Sequence, residues 1–269
     1  MPLKVMITGV AGLIGNVLWK DLRRKPDKYD VYGLARRLQP SARLASGEMD
    51  ETRQWQLVDV ADFDAMRRAI EGMDVVVHMA ADPRGDAPWE AVLKSNLIGA
   101  YNTYEACRLG GVKRIIYASS VMVSWGYWQD EPYKSLAEGK FKNLPAPLPI
   151  VTKEMPVRPT DLYSSSKLWG EALGRYYSDL HGLSVICLRI GGVNDPDRPR
   201  PSQIGHAVWC SRRDIAQMVE RAINAPKELR YDIFYVISNN KYRFWDIEHG
   251  KKVLGYVPQA GVAEYRPAA

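Results

Sequence analysis

The chain has 269 residues, of which 46% are hydrophobic and 25% charged, with a formal net charge of +6. These values describe an ordinary globular protein, long enough for one large domain or a domain carrying a smaller lobe. They exclude a membrane-spanning class, because no apolar run reaches the length of a bilayer. They also argue against a nucleic-acid partner, because the basic residues form short scattered clusters and not one stripe.

Three widely spaced cysteines, Cys107, Cys187 and Cys210, and four scattered histidines suggest neither a disulfide framework nor a metal site, so no metal is expected. The opening MPLKVMITGV passes straight into a strand-like pattern and lacks the apolar core of a signal peptide. The expectation is a cytoplasmic protein.

In chain order, LKVMIT reads as a buried strand and GLIGNVLWKDLRR as a helix. YDVYGLA and WQLVDV are a second and third strand, ADFDAMRRAI a helix, and DVVVHMA a fourth strand. A long helical pattern, PWEAVLKSNLIGAYNTYEACRLG, leads to a fifth strand, KRIIYASS. A helix beginning near Tyr163 precedes a sixth, SVICLRI. Strands separated by helices imply right-handed crossovers and a parallel sheet covered on both faces. The predicted fold is therefore doubly wound α/β. Residues 127–160 interrupt the rhythm with prolines and aromatics and are expected to form a loop at the rim of a site. Trp169, Leu173, Tyr176 and Leu180 suggest the core-facing stripe of the Tyr163 helix.

Between the first strand and helix, Gly9, Gly12 and Gly15 make a GxxGxxG turn. Glycine lets the backbone approach a ligand closely, and the helix start offers free N–H groups to a pyrophosphate. A motif that follows a strand and opens a helix has the context of a dinucleotide site. The second strand ends in Ala35-Arg36-Arg37, without the acid that bonds the ribose of NAD. Arginine there accommodates a 2′-phosphate, so NADP is the preferred cofactor and NAD the alternative.

Tyr163 and Lys167 stand four residues apart, on one face of a helix. A free tyrosine has a pKa of roughly 10, and a nearby ammonium is expected to lower it. Tyr163 is then a candidate base for a substrate hydroxyl.

With GxxGxxG and YxxxK both present, the chain resembles an extended short-chain dehydrogenase/reductase, of the NAD-dependent epimerase/dehydratase family. Asp59, His78-Met-Ala-Ala81, Asn96-Leu-Ile-Gly99 and Tyr117-Ala-Ser-Ser120 also match its pattern. LYSSSKLWGEALGRYY, VICLRIGGVNDP, WCSRRDIAQMVERAI and FWDIEHGKKVLGYVPQ are similar to the uronate dehydrogenase branch, which includes related aldose dehydrogenases. The chain departs from that branch in lacking its NAD-binding acid and in carrying Val121-Met122 where the branch has Asn-His. Its insertion before Tyr163 is also longer.

The resemblance implies a Rossmann domain over residues 1–190, with the 127–160 insertion. Residues 191–269 would mainly form a small substrate lobe, with about 209–238 returning to the main domain. Gly9, Gly12, Leu13, Ile14 and Gly15 would face the pyrophosphate, Asp59 and Val60 the adenine, and Met79, Ala80 and Ala81 the rest of the cofactor. Tyr163 would act as base, Lys167 would hold the nicotinamide ribose, Ser120 would fix the reacting oxygen and Asn96 would support the lysine. Ser119 or Ser124 could take the place of Ser120.

Val121, Arg84, Arg198 and Arg200 are candidate substrate contacts, the arginines for an anionic group. Gln203 and His206 are further candidates for sugar hydroxyls. The expected activity is oxidation of the C1 hydroxyl of a small aldose or uronic acid to a lactone. An epimerase with tightly held cofactor and a non-catalytic NAD(P) sensor are the alternatives. A homodimer through two helices per subunit is also implied.

Overall fold

The computed structural model describes residues 1–39, 41–44 and 54–262. Seven parallel strands form one sheet: β1 (Leu3–Thr8), β2 (Tyr29–Ala35), β3 (Trp55–Leu57), β4 (Val75–His78), β5 (Arg114–Ser120), β6 (Ser184–Ile190) and β7 (Tyr231–Val236). Their spatial order is β3-β2-β1-β4-β5-β6-β7. β4, β5 and β6 are buried along their whole length, as expected of parallel strands covered on both faces.

The order reverses direction between β1 and β4, which opens a crevice at the carboxyl ends of the strands. Thr8 lies in register with His78, and His78 with Tyr117. One row across the sheet thus fixes the height of the glycine turn relative to the end of β5.

Helices cover both faces: α1 (Leu13–Arg23), α2 (Phe63–Ile70), α3 (Trp89–Val92), α4 (Gly99–Leu109), α5 (Tyr133–Ala137), α6 (Leu162–His181), α7 (Gln203–Val208), α8 (Arg212–Ile223) and α9 (Glu248–Leu254). A π-helical turn, Leu93–Ile98, joins α3 to α4. Alternate strand residues divide between two cores. Val5, Ile7, Val77 and Ile116 pack with Leu18 and Trp19 of α1 and Ile215 and Val219 of α8. Met6, Val76, Ile115 and Val185 pack with Met66 of α2, Tyr104 of α4 and Leu173 and Tyr177 of α6.

β7 adds a strand beyond the six read from the sequence, and α8 packs beside α1. The 127–160 segment also differs from expectation. It carries helix α5 and buries Trp128, Tyr133 and Val151 against Phe244 and Trp245 of the C-terminal segment. Its aromatics serve packing, and none of its residues is among those lining the cleft described below.

The stripe expected on α6 faces the other way. Trp169, Tyr176 and Leu180 are 43%, 48% and 70% exposed, and only Leu173 is buried. The buried face is made of small residues, Ser166, Gly170 and Gly174, with Tyr177. A Cβ on Gly170 would lie 2.0 Å from Tyr117 Cζ, so its hydrogen lets α6 rest directly on β5. Tyr104 then bonds the Gly170 carbonyl at 3.1 Å.

Candidate active site

A cleft of about 540 Å³ opens at the carboxyl ends of the strands. One wall is the glycine turn. Gly9 has φ +70°, and a Cβ there would lie 2.8 Å from the Ala80 nitrogen. A Cβ on Gly15 would lie 2.3 Å from Gly9 O, so both positions need glycine to keep turn, helix and β4 this close. The α1 N-terminus has no side-chain cap and no acid in its first turn. Its backbone N–H groups and the glycine cradle therefore fit a pyrophosphate.

Below the turn, Thr8 Oγ1 meets His78 Nδ1 at 2.9 Å and accepts from Ala80 N at 3.1 Å. Thr103 Oγ1 also approaches His78 Nδ1, at 3.2 Å. Burial, with help from the Lys167 charge, pushes the His78 imidazole down to about 3. His78 is a neutral strut that holds β4 to β1 and to α4.

The opposite wall brings Ser120, Tyr163 and Lys167 together. Asp161 caps α6 by accepting from Ser164 N at 2.6 Å, while Ser164 Oγ accepts from Asp161 N at 3.1 Å. This box fixes the first turn, where Tyr163 stands. The Ser120 hydroxyl lies near the Tyr163 phenol and favours its ionised form. Lys167 is buried, donates to Ala118 O at 2.7 Å and lies 5.5 Å from the Tyr163 ring centroid. The alternative serines are committed elsewhere. Ser119 donates to Glu171 at 2.6 Å, and Ser124 donates to Val121 O at 3.0 Å.

The electrostatics differ from the expectation that the lysine lowers the tyrosine. Burial holds the Tyr163 phenol above its ordinary range, despite the nearby Ser120 hydroxyl and the charge of Arg43, with Asp161 adding to the rise. Burial also pushes the Lys167 ammonium down to about 8. The physical reason is that the lysine's hydrogen bond goes to a main-chain carbonyl, so desolvation outweighs attraction.

Asn96 sits in the π-helical turn, a distortion often found at functional sites. Its Oδ1 accepts from Asp82 N at 2.8 Å, and its Nδ2 donates to Asp82 O at 3.1 Å and to Ser166 Oγ at 2.9 Å. Ser166 in turn donates to the Tyr163 carbonyl at 2.6 Å. Asn96 thus braces the turn of α6 that carries Tyr163, and its bonds go to Asp82 and Ser166, not to Lys167.

Of the other expected residues, Gly9, Gly12, Leu13, Ile14, Gly15, Met79, Ala81, Val121 and Arg200 line the cleft. Arg36 and Arg37 lie exposed just past β2, and the Arg36 charge helps to hold the Asp82 carboxyl below its usual range, after the larger effect of the Arg84 hydrogen bond. Asp59 is exposed beyond β3 and accepts from Ala61 N at 3.0 Å. Val60 is core: a Cβ on Gly99 would lie 2.6 Å from its Cγ2. Ala80 backs the glycine turn.

Arg84 and Arg198 lie outside the residues that line the cleft. Arg84 spends its fork on Asp82, at 3.0 and 2.8 Å, outside the lining. Arg198 is exposed and tied through its main chain to Asn194, also outside the lining. Gln203 and His206 stand outside it as well, whereas their neighbours Ser202, Ile204 and Gly205 line the cleft.

Sequence reasoning missed Arg43, Trp125 and Trp209, all lining residues. Arg43 carried no signal, being one arginine among several after β2. Trp125 follows β5 closely, and that position after the serine motif was its signal. Among the described residues, no group of three or more His, Cys, Asp or Glu side chains is placed to hold a metal, and no helix is long and apolar enough to cross a membrane.

Residues 5–236 match the model of the NAD dependent epimerase/dehydratase family. The chain is 34% identical over 267 residues to the NAD-dependent glucose-6-phosphate dehydrogenase of Haloferax volcanii, covering 98% of this chain and 96% of the relative. It is 32% identical over 264 residues to the L-arabinose 1-dehydrogenase (NAD(P)(+)) of the same organism, covering 95% and 96%. Among solved structures it superposes with a TM-score of 0.76 on a point mutant of uronate dehydrogenase from Agrobacterium tumefaciens complexed with NAD. That match is at 26% identity and covers 100% of this chain and 92% of the other.

Proposed function

The chain belongs to the NAD dependent epimerase/dehydratase family, and from this we propose an NAD(P)-dependent dehydrogenase that oxidises the C1 hydroxyl of a small aldose or sugar acid to a lactone. The observation that carries this reading is the convergence of Ser120, Tyr163 and Lys167 on a cleft walled by the glycine turn. Full-length similarity to two sugar dehydrogenases supports it over the epimerase alternative.

In this reading the glycine turn and the α1 N-terminus hold the pyrophosphate, Asp59 serves the adenine side and Lys167 the nicotinamide ribose. When bound, the oxidised nicotinamide supplies the hydride acceptor. Ser120 holds the sugar hydroxyl oxygen beside Tyr163. Tyr163 takes the hydroxyl proton as the C1–H bond is lost, and the C1 carbon becomes the lactone carbonyl. Asn96, through Ser166, keeps the tyrosine's turn of helix in place.

Two finer points belong to the same proposal. Arg36 and Arg37, with no acid beside them at the end of β2, favour NADP while leaving NAD usable. The exposed apolar residues Ile98, Tyr101, Trp169, Tyr176 and Leu180 lie on two neighbouring helical stretches and fit a homodimer face. Absorbance of reduced nicotinamide, on mixing the protein with NADP or NAD and a panel of aldoses, sugar phosphates and uronates, tests the function. Cofactor binding without any turnover would remove it.

A further inference from the structure

The cleft is unusual in its charge. Its lining includes Lys167, Arg43 and Arg200, yet no aspartate or glutamate among the described residues. Lys167 is buried and committed to Ala118 O. The two arginines are exposed, and neither guanidinium has a carboxylate partner in any contact between described residues.

Arg43 reaches the cleft from the segment after β2. Ser41 N donates to Ala11 O at 2.9 Å, and Leu44 is buried in the core, so both ends of this short stretch are anchored. From there Arg43 Nη2 donates to Val193 O at 3.2 Å. Val193 and Arg200 belong to the same loop after β6. Both arginines line the cleft, Arg43 is bonded to the loop that carries Arg200, and the charge of Arg43 reaches Tyr163.

Resting on the dehydrogenase reading, we propose that Arg43 and Arg200 together recognise a phosphoryl group on the sugar, making a sugar phosphate the preferred substrate class. A carboxylate is satisfied by one planar fork, whereas a phosphate dianion presents three oxygens and two charges that suit a pair. A cofactor pyrophosphate has the same chemistry, but the glycine turn and the α1 N-terminus already serve it. Arg43 is bonded to Val193 O, in the loop that carries Arg200.

The test has a binding arm and a kinetic arm. Calorimetry with an aldohexose 6-phosphate compares wild type with Arg43→Ala, Arg200→Ala and the double variant, with and without saturating NADP. Each single change is expected to weaken sugar phosphate binding roughly ten- to a hundredfold, the span of one charge-assisted hydrogen bond. In steady-state assays, the kcat/KM ratio of sugar phosphate to neutral aldose should fall at least about tenfold in each variant, by the same reasoning.

Unchanged sugar phosphate binding in the double variant overturns the proposal, whether or not any sugar is oxidised. So does a wild type that prefers the uronate or the neutral aldose. A raised KM for NADP with an unchanged sugar ratio assigns the pair to the cofactor pyrophosphate instead. Absence of turnover with all sugars, with phosphate binding lost in the variants, would overturn the dehydrogenase reading and leave this assignment standing.

Discussion

Glu171 and Arg189 meet as a buried two-pronged ion pair, with Nε to Oε1 and Nη2 to Oε2 both at 2.9 Å. Glu171 stands one helical turn beyond Lys167 and also accepts from Ser119, beside the candidate catalytic Ser120, at 2.6 Å. Arg189 continues to Tyr235 at 2.9 Å, and Tyr235 to Ser124 at 3.1 Å. Trp245 bonds the same Ser124 hydroxyl at 2.9 Å. One satisfied network thus links α6, the end of β5, β6, β7 and the C-terminal segment behind the cleft.

Breaking that pair should be costly because it leaves a charge buried and unmatched. Glu171→Gln is expected to lower unfolding stability by about 3–5 kcal/mol, read from urea unfolding. A double change, Glu171→Leu with Arg189→Met, should recover much of the loss, since no buried charge is left behind.

Lys167 gives a pH-dependent signature. Burial pushes its pKa down to about 8 from 10.5. Between those values the unfolded chain holds a proton that the folded chain lacks, so this residue's contribution to stability rises with pH through the window. It is lost as pH falls through about 8. The stability of Lys167→Met relative to wild type should therefore fall by about 2–3 kcal/mol between neutral pH and pH near 10. Unfolding titrations at several pH values check this. A pH-independent difference would show that the lysine is not desolvated.

Cofactor choice is expected to follow Arg36. Arg36→Ala should reduce the NADP-to-NAD ratio of kcat/KM by roughly ten- to a hundredfold, the value of one charge-assisted hydrogen bond. A ratio that does not move would leave the 2′-phosphate to another residue.

The outer face of α6 should govern assembly. Tyr176→Glu with Leu180→Glu replaces two side chains that are 48% and 70% exposed, so the fold should survive. Analytical ultracentrifugation is expected to show a dimer for wild type and a monomer for the double variant.

These elements differ in how far the sequence disclosed them. The glycine turn and the Tyr163/Lys167 spacing were legible because each is a local pattern whose chemistry depends on a few neighbouring residues. Arg43 was not, because its place in the cleft depends on Ser41 docking on Ala11 and on a carbonyl 150 residues away. Arg84 looked equally suited to an anion, but its own neighbour Asp82 captures it.

The stripe on α6 misled for a related reason. Large apolar residues usually mark the buried face of a helix. Here Gly170 and Gly174 bring the helix too close to Tyr117, Val185 and Tyr104 for large side chains to fit between. Trp169, Tyr176 and Leu180 are left outside. In the 127–160 segment, aromatics without a period suggested a loose rim, yet Trp128 and Tyr133 find partners in Phe244 and Trp245, distant in sequence.

The most direct test of the central claim is the pH profile of kcat/KM for sugar oxidation in wild type and Tyr163→Phe, with cofactor binding measured beside it. Because burial holds the phenol above its ordinary range, wild-type kcat/KM should climb through neutral pH. It should bend over near about 8, where Lys167, the residue assigned to the nicotinamide ribose, loses its charge. Tyr163→Phe should bind cofactor normally, lose about 10²–10⁴ in rate and lose the rising limb. A variant that keeps both the rate and the rising limb would contradict the assignment of Tyr163 as the base.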